Sequence, residues 1–262
     1  RAAMALRAMR AGKDVMVDKP GCTTEAQLAE IRRVQAETGR IWSVCYSEHF
    51  LQKATVAASR LVAEGAIGRV VNTVGLGPHR IGLNPRPDWF WDSERGGHIL
   101  VDIASHQFEQ FLHFTGSTAA RILQSVETNF ASPERKGWND YGHAVVASDR
   151  ATGFIRVDWL TADGSPAWGD GRLFLMGTAG NIELRKYMDT EGRPGGDHLF
   201  LTDQKGTRYV DCSETVLDYG AKLRDDVLNR TETAMAQAHC FLAMELALEA
   251  HRVAVPIGGA RP

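Results

Sequence analysis

Cysteine is scarce and scattered in this sequence. Cys22, Cys45, Cys212 and Cys240 lie far apart with no C-x-x-C spacing, which excludes a disulfide framework and a cysteine zinc site as organising devices. They read as reduced thiols of a cytoplasmic protein. No apolar run approaches the roughly 18 residues that a membrane span needs, so no membrane partner is expected. Charge of one sign is also lacking. Thirty Lys and Arg stand against 32 Asp and Glu, interspersed, for a net charge of −2. That leaves no electrostatic footprint for nucleic acid. Arg1 to Arg10 lack the apolar core and cleavage pattern of a secretory signal. There is no internal repeat and no low-complexity tract.

What is present is an ordinary globular composition, 44% hydrophobic and 24% charged over 262 residues, enough for one large domain or two smaller ones. The opening 46 residues alternate. A helix is predicted over 1–11 and a short strand at Asp14–Val17. A second helix follows over 25–38, capped by Thr23 or Thr24 and closed by Gly39, and then a strand over Ile41–Tyr46. Such alternation implies a parallel sheet with crossover helices. A further amphipathic helix is predicted over 50–64. From Val70 the texture changes to strand-like runs at 70–76, 121–129, 142–148, 153–160, 171–176, 181–185, 198–202 and 207–211, separated by turn signals such as Asp163-Gly164 and Pro194-Gly195-Gly196. A long helix closes the pattern over 229–253. The fold class expected is α/β plus α+β: the back end of a parallel α/β unit over 1–47, then an α+β domain over 48–262 with a large, mostly antiparallel sheet. The helix 229–253 is expected to pack back on the first unit.

The chemistry concentrates in Gly96-Gly97-His98-Ile99-Leu100-Val101-Asp102-Ile103-Ala104-Ser105-His106. On a helix, residues four apart share a face, so Asp102 and His106 are expected to point the same way, with Phe108, Phe111, Leu112 and Phe114 following on the same helix. A carboxylate beside an imidazole raises its proton affinity and fixes its ring, which suits a general base near neutral pH. The bland alternative is a helix-start Asp and a partly buried His. His98, Asp102 and His106 also fall at i, i+4 and i+8, a spacing that offers two imidazoles and a carboxylate to a divalent metal. A metal-dependent hydrolase or lyase therefore stands as an alternative.

Four segments in order resemble the Gfo/Idh/MocA oxidoreductases. Gly12-Lys13-Asp14-Val15-Met16-Val17-Asp18-Lys19-Pro20 resembles the family's strand ending in Glu-Lys-Pro, and Gly65-Ala66-Ile67-Gly68-Arg69-Val70 its turn into the second domain. Gly96-Gly97 through Asp102 and His106 resembles its catalytic helix, and Gly177-Thr178-Ala179-Gly180-Asn181-Ile182-Glu183-Leu184 its late sheet turn. The resemblance implies a Rossmann domain binding NAD or NADP and a sheet domain that binds substrate and mediates homo-oligomer formation. The dinucleotide fingerprint G-x-G-x-x-G does not occur; Gly-x-Gly is found at Gly75-Leu76-Gly77 and Gly169-Asp170-Gly171, both far from the first strand. Residues 1–47 are therefore expected to be the remnant of a Rossmann fold whose first βαβ units, roughly 60 residues or more, lie upstream. The 262 residues alone are expected to hold the cofactor weakly.

The resemblance further implies catalytic roles for Lys19, Asp102 and His106: Lys19 between nicotinamide ribose and substrate hydroxyl, His106 as general base, Asp102 holding substrate and supporting the imidazolium. Asp18, standing for the usual Glu, joins Lys19, Pro20 and Ser47 as cofactor contacts. Ser47, Glu48 and His49 depart from the family's usual residues there. Lys19, Trp89, Asp102 and His106 are the substrate contacts, with Pro78-His79-Arg80 and Arg86–Trp91 lining the cleft; Trp89 and Trp91 are suited to stack on a sugar ring or else simply to pack. The activity implied is hydride transfer between NAD(P) and a hydroxyl or carbonyl of a sugar, inositol or related polyol. The alternative from another class is a non-catalytic binding or oligomerisation module.

Overall fold

A computed structural model describes residues 1–82 and 85–257. Helix α1 (Ala2–Arg10) leads to strand β1 (Val15–Asp18), and α2 (Glu25–Thr38) to β2 (Trp42–Cys45). The two strands pair in parallel, Val15 beside Trp42 through Asp18 beside Cys45. Thr24 caps α2: its hydroxyl accepts from the Gln27 N–H at 3.2 Å, and Gln27 Oε1 in turn accepts from the Thr23 N–H at 2.9 Å. This reciprocal arrangement satisfies donors that a helix start leaves open. Leu28, Ile31 and Val34 form the buried face, at the spacing their sequence shows.

Past β2 lie two short helical segments and then the large sheet. α3 (Ser47–Phe50) and α4 (Lys53–Ala63) precede β3 (Val70–Pro78). Single-turn helices α5 (Asp88–Trp91), α6 (Ser93–Gly96) and α7 (Ile99–Asp102) lead into α8 (Ser105–Thr115). Seven more strands follow: β4 (Arg121–Thr128), β5 (Tyr141–Ala147), β6 (Thr152–Asp158), β7 (Arg172–Gly177), β8 (Asn181–Arg185), β9 (His198–Asp203) and β10 (Gly206–Val210). Helices α9 (Tyr219–Asn229) and α10 (Gln237–Val253) complete the order. The sheet runs β10-β9-β8-β7-β3-β6-β5-β4. Its pairs are antiparallel except β3 with β6.

Alternation along the strands gives the sheet two different faces. Thr73, Ile155, Val157, Leu173, Leu175, Ile182, Leu184, Leu199 and Leu201 are buried. Their neighbours Phe154, Phe174, Met176 and Phe200 point to the other face and are half-buried or exposed. α8 lies across the buried face, and Gly75-Leu76-Gly77 explains how it comes so close. A Cβ on Gly75 would stand 2.7 Å from Gln107 Cγ, and one on Gly77 2.9 Å from Gln107 Nε2. The Gly-x-Gly pair thus serves close packing of β3 on α8.

α10 packs on α2, α7, α8, β2 and β4. The Gln237 side chain clamps the backbone of Trp42, accepting from its N–H at 2.9 Å and donating to its carbonyl at 3.1 Å. Trp42 and Phe241 stack at 5.2 Å, and Arg32 pairs with Glu245 at 2.6 Å. One buried cluster accordingly runs from Met9, Trp42 and Val44 through Leu100 and Phe108 to Met244 and Leu246. A second lies between α4 and β7–β9. All four cysteines are free thiols. No helix among the described residues is long and apolar enough to cross a membrane.

Several expectations are corrected. The helix predicted over 50–64 is α4, which begins at Lys53, and a separate single turn, α3, precedes it at Ser47–Phe50. The segment 230–236 is not helical. There Arg230 adopts φ +57°, and the Asp226 carboxylate gathers Thr231 Oγ1, Thr233 N–H and Ala234 N–H at 2.6–2.8 Å, a local arrangement that competes with helix hydrogen bonding. The predicted continuous helix from Ile99 to Phe114 is broken at Ile103-Ala104. The Ala104 N–H donates to Ile99 O, five residues back, at 3.4 Å, and the His106 N–H donates to Ile103 O, three back, at 3.2 Å. The ladder changes pitch between the two residues expected to share a face.

Candidate active site

The break in α7–α8 sends Asp102 and His106 to different partners. Lys19, just after β1, donates from Nζ to Asp102 Oδ1 at 3.0 Å, with both side chains under one-fifth exposed. The Lys19 N–H is anchored to Asp18 Oδ1 at 2.9 Å, and the following Lys19–Pro20 peptide is cis. Gly97, between α6 and α7, has φ +95° and lies against this turn: a Cβ there would stand 3.4 Å from Pro20 Cγ and 3.6 Å from Asp102 Cβ. The left-handed backbone makes glycine the fitting residue. Pro20 and Trp89 border one cleft of about 490 Å³, together with Thr23, Glu94 and Arg95. Trp89 is 40% exposed. Trp91, by contrast, packs edge-on against Trp138 at 5.2 Å. Ser47 opens α3, half-buried.

His106 is 2% exposed, edge-on to Tyr46, and its Nδ1 is buried without a partner. Burial pushes its pKa down to about 3. Among its neighbours the Glu48 carboxylate pulls upward, while Lys19 and Lys186 push further down. The expected effect of Asp102 on this imidazole is therefore corrected: the acid that acts on it is Glu48, and the ring stays neutral at pH 7 instead of becoming a stronger base.

Glu48 is a residue whose departure from the family pattern left its role unread. It is buried and takes Lys186 Nζ at 2.6 Å and Gln107 Nε2 at 2.9 Å on the same oxygen. Lys186 also reaches Gln110 Oε1 at 3.4 Å, and its side chain is wholly buried. Burial would raise the Glu48 carboxyl, but Lys186 first, then His106 and His79, hold it at about 2. His79 completes the group. It is buried between Trp159 and Trp168 with Nδ1 near Gly77 O at 3.1 Å, and burial lowers it to about 4 despite the pull of Glu48. No single spacing in the sequence links residues 48, 79, 107 and 186.

Two neutral buried histidines make the fold acid-sensitive. In the unfolded chain His79 and His106 take protons below about pH 6.5; in the folded protein they resist until about 4 and 3. Stability is therefore present above pH 6.5 and lost as pH falls, by up to about 1.4 kcal/mol per pH unit for each histidine. Urea unfolding at pH 7.0 and 5.5 is expected to show that loss, and the His79→Gln/His106→Gln double variant a shallower one. Equal slopes for both proteins would refute it.

His98 does not join Asp102 and His106. It stacks on His251 at 3.5 Å beside Glu127. The three-residue metal set expected from i, i+4, i+8 spacing is thus not assembled among the described residues, because the helix carrying it is broken.

Residues 55–183 match the model of the Gfo/Idh/MocA C-terminal domain. The crystal structure of a protein from Erwinia carotovora atroseptica SCRI1043, classed as an oxidoreductase, is 42% identical, with TM-score 0.94 over 98% of this chain and 78% of that one. D-xylose dehydrogenase of Paenarthrobacter nicotinovorans is 26% identical over 165 residues, covering 60% of this chain and 41% of the relative. The chain spans less than two thirds of the length of the curated relatives it matches. Levoglucosan dehydrogenase, solved in complex with NADH, has the same fold at 19% identity, TM-score 0.71, over 96% of this chain and 73% of that one. The match of residues 55–183 to the family's C-terminal domain, with 42% identity over 98% of the chain to the Erwinia oxidoreductase, places this chain in the Gfo/Idh/MocA family of oxidoreductases.

Proposed function

We propose that the protein transfers a hydride between NAD(P) and a hydroxyl or carbonyl carbon of a sugar or related polyol, with Lys19, Asp102 and His106 at the reacting end. The observation that carries this is the Lys19–Asp102 pair at 3.0 Å, within electrostatic reach of a buried neutral imidazole whose Nδ1 has no partner. A nicotinamide, when bound, supplies the hydride acceptor or donor. Asp18, Lys19, Pro20 and Ser47 are the residues that would hold its reacting end, and the unpaired ring nitrogen and the glycine-lined turn at Pro20 fit a group seated there.

The chain's own residues divide the remaining work. The Lys19 ammonium stabilises charge that develops on the substrate oxygen. Asp102 holds that ammonium in place and offers its other oxygen to substrate hydroxyls. His106, neutral at pH 7, accepts the hydroxyl proton at a ring nitrogen, and Glu48, kept ionised by Lys186, stabilises the imidazolium so formed. Glu48 is a positioning residue in this scheme. Trp89 and Pro20, the neighbour of Lys19, border the same cleft, and a sugar is the substrate named for D-xylose dehydrogenase.

In this reading residues 1–47 belong to the dinucleotide-binding unit and 48–262 to the substrate domain. The outer sheet face, with Phe154 between Val74 and Val145 and Phe174 beside Val74 in register, is the surface for homo-oligomer formation. The test is fluorescence titration of the intact gene product with NADH and with NADPH. Saturable binding of one of them, followed by reduction of NAD(P) in the presence of a D-aldose panel, is the result expected. Binding of neither would sink the dehydrogenase reading in favour of a binding or assembly role.

A further inference from the structure

Two groups of three histidine or acidic side chains with ligand atoms close together occur among the described residues: His49–Glu109–His113 and His98–Glu127–His251. Their ring geometry separates them. His98 and His251 are stacked nearly parallel, 14° apart, with centroids at 3.5 Å. An imidazole lone pair lies in the ring plane, so two stacked rings direct theirs along parallel lines that do not meet at one ion. His49 and His113 are tilted by 46° with centroids at 4.2 Å, and tilted planes intersect.

We infer that His49, Glu109 and His113 form a site for a first-row divalent metal ion of the zinc class, separate from the Lys19–His106 centre. Glu109 and His113 stand four apart on α8, one turn from each other, and His49 comes from α3. The ligand atoms of the three lie within 4.8 Å of one another. His49 Nδ1 is 2.9 and 3.1 Å from the two oxygens of Glu109. Atoms that share one ion at 2.0–2.2 Å stand roughly 3.0–3.5 Å apart, so an ion can take the place of the shared proton with small movement. Two imidazoles and a carboxylate suit zinc or its first-row neighbours more than calcium or magnesium.

The surroundings are those of a held ligand set. His239, on α10, approaches Glu109 Oε1 at 3.2 Å and orients it. His113 Nε2 is bonded to Ser59 Oγ at 2.8 Å, which fixes that ring. Glu109 and His49 are buried, whereas His113 is exposed, so the set opens on one side. It opens into a cleft of about 410 Å³ that Tyr219, Lys222 and Met235 also line. Three protein ligands facing a cleft leave a coordination position for water or a small anion. The ion would also tie α3 to α8.

The test is cobalt titration of tag-free, metal-stripped protein, read by the visible absorption of the bound ion and by isothermal calorimetry. One equivalent of Co²⁺ is expected to bind, to be displaced by Zn²⁺, and to raise the melting temperature. His113→Ala removes an exposed side chain, so its fold is retained, as circular dichroism can verify. This variant is expected to bind at least tenfold more weakly and to lose the thermal shift, while His98→Ala behaves as the parent protein. No saturable binding by the parent, or unchanged binding by His113→Ala, would overturn the site, as would loss of binding in His98→Ala.

Discussion

Replacing Lys186 by methionine is expected to destabilise the protein by about 3–5 kcal/mol, a third or more of the stability of an ordinary domain. Methionine matches the length of the lysine stem and fills the same space, so little of the loss comes from packing. It comes from Glu48, which keeps one donor, Gln107 Nε2 at 2.9 Å, and loses the ammonium at 2.6 Å. Burial then dominates its titration, and the carboxyl rises from about 2. The double variant Lys186→Met/Glu48→Gln is expected to recover most of the loss, since an uncharged pair leaves no isolated ion in the interior. Urea unfolding of the single and double variants measures this. A single variant within 1 kcal/mol of the parent would show that the pair is solvated and that Glu48 does not act on His106 as described.

His106→Ala carries the other large effect. On the proposed mechanism the change in the intact gene product lowers turnover at least tenfold to a hundredfold, the range of an acid–base contribution, with a smaller change in KM because the proposed substrate contacts Lys19 and Asp102 remain. Removal of the buried ring also removes one proton-uptake site from the acid transition. The variant should therefore be less sensitive to pH between 6.5 and 4. Unchanged turnover with a changed acid transition would separate burial from catalysis and remove His106 from the mechanism.

The large sheet was legible because its strands alternate and its turns carry glycine: β5 was expected over 142–148 and lies at Tyr141–Ala147, and β8 lies at Asn181–Arg185 as read. The family resemblance pointed to Lys19, Asp102 and His106, and of these the structure pairs Lys19 with Asp102. Partnership was not legible. Lys19 meets Asp102 across 83 residues and Lys186 meets Glu48 across 138, and no local pattern encodes either. The break at Ile103-Ala104 was hidden because alanine and isoleucine continue a helix on propensity alone. α9 escaped notice since only Tyr219 and Asp226 of its residues are buried, too few to set a helical stripe.

The clamp of Gln237 on Trp42 joins positions 195 residues apart, and this sets an order on biosynthesis. At about 5–20 residues per second, roughly 10–40 s pass between translation of the two. Through that interval the N–H and carbonyl of Trp42 have no Gln237, and the indole has no Phe241 to stack on. Strands β1 and β2 are thus finished by a helix made much later. A nascent chain stopped before residue 237 presents an open strand edge, the kind of surface on which unfinished chains pair with one another.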